Sequence, residues 1–150
     1  MAHTDLAMEK DAQGNYDLVI VDGLFKTTES FETAIQLLFF LDARAEPSEV
    51  PIAQNRRGWW GNVFNQIPNT ELGNKLWLLF QARAIEETRL KAEQFVKQGF
   101  QQLVDSQHAT KIEVVGELFE NRVEINIKIF TNQDVIIEQT FTLWLNTKQV

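Results

Sequence analysis

The sequence predicts an α+β protein: a short N-terminal strand and about three helices packed on a C-terminal antiparallel three-stranded meander. Three observations lead there. Apolar residues recur at helical spacing in several segments between residues 31 and 106. The period then falls to two in residues 122–129, where apolar and polar side chains strictly alternate. The segments flanking that run join it through connections of turn length, Glu120-Asn121 and Thr131-Asn132-Gln133-Asp134.

Taken in order, residues 1–14 are polar and aperiodic and read as a flexible arm, with 15–150 as one domain. Tyr16-Asp17-Leu18-Val19-Ile20-Val21 is rich in β-branched residues and ends at Asp22-Gly23, a strand followed by a turn. Thr27-Thr28-Glu29-Ser30 offers N-cap chemistry and a negative charge for the positive end of a helix dipole. In FETAIQLLFFLDARA, Phe31, Ala34, Ile35, Leu38 and Leu41 keep helical spacing, and Phe39 and Phe40 widen the apolar face. This first helix is predicted to end near Ala45, because Pro47 disfavours helix in the residue before it. Residues 46–69 show no period and hold all three prolines, with RRGWWGN in their middle. A stretch of that kind is functional or clamped by its own side chains. A second helix is predicted over 70–80, with Leu72, Leu76, Leu79 and Phe80 on one face. A third is predicted from about Glu86 to about Ser106, with Ala92, Phe95, Val96, Gly99 and Leu103 as its inward stripe. The meander then consists of residues 111–119, the alternating run, and 135–145, where Val135, Ile137, Phe141, Leu143 and Leu145 share a face.

Composition narrows the function classes. The 150 residues suit one domain, which can bury roughly 70% of its unfolded surface without disulfides or metal. A net charge of −7 and a pI of about 4.8 argue against nucleic acid as a partner, since such binders present a basic face. The absence of cysteine excludes a disulfide scaffold, thiol catalysis and the usual zinc sites. The N-terminus has no apolar core for a signal peptide, and LLFFL at 37–41 is too short to span a membrane. No membrane partner is expected.

No catalytic, cofactor-binding or metal-ligating residue is assigned. His3 and His108 lack a ligand partner at i+4, and Gly58 and Gly61 are too close together for a P-loop. Asp42, Glu46, Glu49 and Glu71 flank the tryptophan loop, and a retaining glycosidase needs two carboxylates about 5 Å apart with one pKa raised. With 21 acidic residues, some flank any segment by chance. Trp59 and Trp60 read equally as a plug holding the loop to the core and as a protein-interface anchor. As neighbours in an extended loop they should point opposite ways, one buried and one exposed. Arg56 and Arg57 suit backbone carbonyls or carboxylates such as Asp42. At the C-terminus, Val135-Ile136-Ile137 and Phe141 to Leu145 leave apolar residues on both faces of the last strand. It is either an edge that accepts another chain's strand or a strand whose second face a helix covers.

ESFETAIQLLFFLDARA, RRGWWGN, LGNKLWLL and LKAEQFVKQGFQQLVDSQHATKIEV together resemble the Mu-type bacteriophage tail protein family, over about residues 16 to 145. Asn62 stands where that family usually has Asp. The family is similar to baseplate wedge proteins of contractile tails, also described as sheath initiators. The resemblance implies a structural, non-enzymatic component of a phage, prophage or tailocin baseplate, without a cofactor and assembled in the host bacterial cytoplasm. It implies six copies around the tail tube, with other wedge proteins, the sheath and the tube as partners. It also implies a small sheet that exchanges strands with sheath subunits. Interface roles are expected for Arg56, Arg57, Trp59, Trp60, Val135, Ile137, Thr140, Leu143 and Leu145. Some relatives carry a lysozyme-like label, which implies the alternative of a peptidoglycan hydrolase.

Overall fold

The computed structural model describes residues 5–28, 32–52, 54–64 and 71–145. The chain divides into two compact units, Met1–Leu38 and Phe39–Val150.

Among its described residues the first unit contains six strands of two or three residues, where the sequence pattern predicts a single strand. β1 (Asp5–Leu6) pairs with β6 (Thr27–Thr28), β2 (Met8–Lys10) with β3 (Tyr16–Leu18), and β4 (Ile20–Val21) with β5 (Leu24–Phe25), all antiparallel. The three ladders meet in a triangle of backbone bonds. Ala7 N–H donates to the Lys26 carbonyl at 2.8 Å, Lys26 N–H to Val19 at 2.8 Å, and Val19 N–H back to Ala7 at 3.1 Å. Two turns make the hairpins. The Asp11 carboxylate accepts the N–H groups of Gln13 and Asn15 at 2.9 and 2.8 Å. Asp22 and Gly23 both take positive φ, 50° and 78°, the pairing that two-residue hairpin turns favour.

α1 (Glu32–Phe40) buries Ile35 and Leu38 almost completely. It stops well short of Ala45. From Leu41 the chain is extended and makes a parallel bridge to Asn74: Asn74 N–H donates to Leu41 C=O at 3.0 Å, and Ala43 N–H to Asn74 C=O at 2.8 Å. The predicted cap residues Glu29 and Ser30, and Phe31, lie outside the described residues, as do His3 and Thr70.

The expectation of about three helices is corrected: the described residues hold two α-helices and are rich in strand. Where the second helix was predicted there is only a 3-10 turn, Leu76–Leu79. The cause is local. Gly73 has φ +117°, which no right-handed helix accommodates, and Asn74 is engaged by Leu41 and Ala43. The apolar residues that imitate a helical face still reach the interior: Leu76, Trp77 and Leu79 are buried, and Trp77 Nε1 donates to Ala43 C=O at 2.8 Å.

α2 (Glu86–Asp105) starts after an extended Ile85 and carries Glu86 and Glu87 in its first turn. Its buried face is Thr88, Ala92, Val96, Phe100 and Leu103; Phe95 and Gly99 from the predicted stripe are half-buried. Its end is a Schellman motif. Gln107 sits at φ +64° and donates to Val104 at 3.0 Å, and His108 N–H reaches Leu103 at 3.0 Å.

β7 (Ala109–Leu118), β8 (Arg122–Thr131) and β9 (Ile136–Trp144) form an antiparallel sheet in that order. α2 packs on β7 and touches β8 less. Val123, Ile125, Ile127 and Ile129 of β8 are all buried, and each such side chain stabilises the fold by about 1.5–3 kcal/mol. Phe39 stacks on Phe141 of β9 with ring centroids 3.9 Å apart.

Candidate functional site

RRGWWGN is braced by its own residues. Arg56 accepts Ala45 N–H on its carbonyl at 2.9 Å and returns its Nε–H to Ala45 C=O at 2.6 Å, so the buried Ala45 has both backbone groups bonded. Arg57 and Gly58 take φ +54° and +105° and swing the chain back. Arg57 Nη1 thereby meets Asp42 Oδ2 at 3.0 Å, and its guanidinium lies 4.8 Å over the Trp77 ring. The Trp59 ring covers Gly61, where a Cβ would fall 2.2 Å from Trp59 Cη2. Asn62 bonds the Leu72 backbone in both directions, accepting its N–H at 2.9 Å and donating to its C=O at 3.0 Å. An ionised aspartate, the residue expected there from the family pattern, can only accept.

Beyond the brace the loop is apolar and open. Trp60 begins the 3-10 turn Trp60–Phe64 and is 73% exposed, Val63 and Phe64 are exposed beside it, and Trp60 meets Phe64 edge to face at 6.1 Å. Trp59 is half-buried. Trp59→Ala should therefore lower stability by about 2 kcal/mol, less than the 3–5 kcal/mol of a fully buried ring. Trp60→Ala should leave the urea midpoint unchanged. Chemical denaturation of the two variants checks the contrast, and equal midpoints would contradict it.

A cleft of about 770 Å³ lies beside the brace, lined by Trp59, Asn62, Gly73, Phe95 and Gln102 among others. Of the flanking carboxylates, Asp42 is paired with Arg57, while Glu49 is paired with Lys75 at 2.9 Å and accepts Glu46 N–H at 2.7 Å. Burial works to raise the Glu49 pKa, but the Glu46 N–H and Lys75 together hold it below the ordinary value. A general acid needs the opposite shift.

The sheet edges differ. Leu145 N–H donates to Asn121 C=O at 2.9 Å, and Thr131 N–H to Val135 C=O at 3.0 Å. Bonded pairs alternate along an antiparallel ladder, so Ile137, Gln139, Phe141 and Leu143 turn their N–H and C=O groups toward β8. Ile136, Glu138, Thr140, Thr142 and Trp144 turn theirs away, and among the described residues no other backbone meets them. On the opposite edge Phe119 N–H bonds Arg122 C=O at 2.8 Å, which by the same alternation turns Gly116 outward. Gly116 N–H donates to Glu93 Oε1 at 2.8 Å, and its carbonyl accepts Arg89 Nη1 at 3.3 Å. Arg89 is ion-paired with Glu86 and Glu93. The α2 side chains thus occupy the β7 edge at Gly116, near its C-terminal end, and leave β9 open.

Of the other predicted residues, Val135 is exposed in the turn before β9, Ile137 is half-buried, and Leu143 and Leu145 are buried. Thr140 is exposed with its N–H on the open edge, and its hydroxyl accepts from Asn126 Nδ2 at 3.1 Å. Sequence reasoning missed the seal by Glu93 and Arg89, whose one signal is a glycine inside a strand. It also missed the β4–β5 hairpin, where Ile20, Val21, Leu24 and Phe25 are all exposed. There the signal is IVDGLF, a tight turn with apolar residues on both sides.

A braced loop presenting aromatic side chains and a sheet open at one edge are the two features of this surface. A family model described as phage protein GP46 matches residues 31–135, and the chain belongs to that family. It is similar to the "Baseplate protein gp46" of Escherichia phage Mu, at 29% identity over 93 residues. The match covers 61% of this chain and 62% of the Mu protein, less than two thirds of that relative's length.

Proposed function

We propose that this protein is a structural component of a phage tail baseplate, joining wedge subunits and templating the sheath of a contractile tail. The observation that carries the reading is the difference between the sheet edges: β9 keeps five residues with outward backbone groups, while α2 side chains occupy β7 at Gly116. An open edge of that kind binds an extended segment through main-chain hydrogen bonds. The name of the Mu relative supports the baseplate as the location. The resemblance to wedge proteins supports six copies around the tube, with wedge proteins, sheath and tube as neighbours and assembly in the host cytoplasm. In this reading Trp60, Val63 and Phe64 face a wedge partner, and Arg56, Arg57 and Trp59 hold the loop that presents them. The role is structural rather than catalytic.

The test is to inactivate the gene in the phage or prophage that carries it and image the tails. Baseplates lacking the protein should yield bare tubes, and complementation should restore sheathed tails containing it. Normally sheathed tails without the protein would overturn the reading.

A further inference from the structure

We infer that the strand received by β9 is basic on its outward face, with one cation opposite Glu138 and a second, six residues away, opposite Trp144. This inference rests on the proposed strand addition and specifies the chemistry of the partner.

Two rows running across the outer face carry it. The first is Glu113, Lys128 and Glu138, adjacent in register on β7, β8 and β9. The charges alternate and end in a carboxylate at the open edge. Glu138 is held by Asn126 Nδ2 at 2.9 Å and faces Lys128 at 3.9 Å; both contacts fall on Oε1. Among the described residues none reaches Oε2. The next position along this row lies on the incoming strand, and a Lys or Arg there continues the alternation. A carboxylate there would face a like charge directly across the ladder, the arrangement sheets disfavour.

The second row is Phe119, Arg122 and Trp144. Arg122 Cζ lies 4.2 Å over the Phe119 ring and 5.8 Å from the Trp144 ring. Here aromatic, cation and aromatic alternate, and the row ends in an indole that is 62% exposed at the open edge. A cation on the incoming strand would stack on it as Arg122 stacks on Phe119. Between the two rows the edge residues are Thr140 and Thr142, which accept small β-branched neighbours. On the inner face the incoming strand would continue the apolar row beyond Leu143 and Phe141, and would meet an amide at Gln139.

An antiparallel strand would therefore read Lys-Val-Thr-Val-Thr-Gln-Lys in the direction that places its first lysine at Trp144. The experiment uses the purified full chain and fluorescein-labelled peptides, with binding followed by anisotropy. One peptide carries that core. A second replaces both lysines with glutamate. A third is a scramble of the first, which controls for general attraction to an acidic protein. The basic strand should bind the wild type roughly tenfold more tightly than the acidic one, and Glu138→Lys should narrow or reverse that ratio. Equal binding of basic and acidic strands, both above the scramble, would overturn the charge assignment and leave strand addition standing. Binding of neither above the scramble would overturn strand addition itself.

Discussion

Gly73→Val should leave no cooperatively folded protein. The residue has φ +117°, and a Cβ built there falls 2.8 Å from Ala43 N and Asp42 C and 2.9 Å from Leu41 O. Those atoms are backbone, so no side chain can swing aside. The next layer is as close, because a Cβ on Gly99 of α2 would lie 2.9 Å from Gly73 O and from Asn74 Cβ. Three segments are thus stacked main chain on main chain at two glycines. Asn74 locks the stack: it is buried, its Nδ2 donates to Phe39 C=O, and its Oδ1 accepts Leu76 N–H at 2.8 Å. Separating the segments enough for valine exposes these bonds and costs more than about 4 kcal/mol, a large part of the 5–15 kcal/mol that holds a domain together. Circular dichroism and urea titration decide it, with Gly23→Ala as the comparison. Gly23 also has positive φ, but nothing lies within 4 Å of its added Cβ. That variant should lose only about 1–2 kcal/mol. A Gly73→Val protein that melts like the Gly23→Ala protein would contradict the stacking.

A proline scan of two adjacent positions should separate folding from assembly. Thr140 turns its N–H away from β8, so Thr140→Pro removes a donor the sheet does not use. Phe141 turns its N–H toward Ile125, and Phe141→Pro removes a ladder bond and a buried ring that stacks on Phe39. The first variant should keep wild-type circular dichroism, while tails assembled with it are bare tubes. The second should not fold, at a cost of about 3 kcal/mol or more. Sheathed tails built on a folded Thr140→Pro protein would rule out strand addition through this part of β9. The exposed patch at Trp60, Val63 and Phe64 would then be the contact to test.

The sheet and α2 were legible because long, one-sided burial writes a clean period into the sequence. Residues 122–129 alternate because one face is apolar and the other wet, and α2 runs for 20 residues with its apolar face repeating. The failure at 70–80 has the same origin seen in reverse. Leu76, Trp77 and Leu79 are apolar because they are buried, yet four residues cannot distinguish an α-helix from a 3-10 turn. The decisive residue was Gly73, whose left-handed φ follows from contact with Leu41–Ala43, a neighbour far away in sequence. The N-terminal ladders were illegible because strands of two or three residues are shorter than any period. At the tryptophan loop residue type foretold the chemistry: Arg57 does meet Asp42, the carboxylate named for it. What residue type does not carry is direction, which is why Trp59 and Trp60 could be told apart only by Gly61 lying beneath one of them.

If β9 receives a strand as proposed, the bonds that Glu93 and Arg89 make to Gly116 bear on the valence of the molecule. A sheet open on both sides is a divalent monomer, able to join end to end into a fibre of any length. Under the proposed strand addition, a chain whose β7 is occupied at Gly116 would start a ladder at β9 without passing it on at that point. Each copy would then admit one strand and stop, so the number of strands recruited would equal the number of copies in place. A ring of such monovalent units would convert a fixed copy number into a fixed number of starting points, without any component that counts.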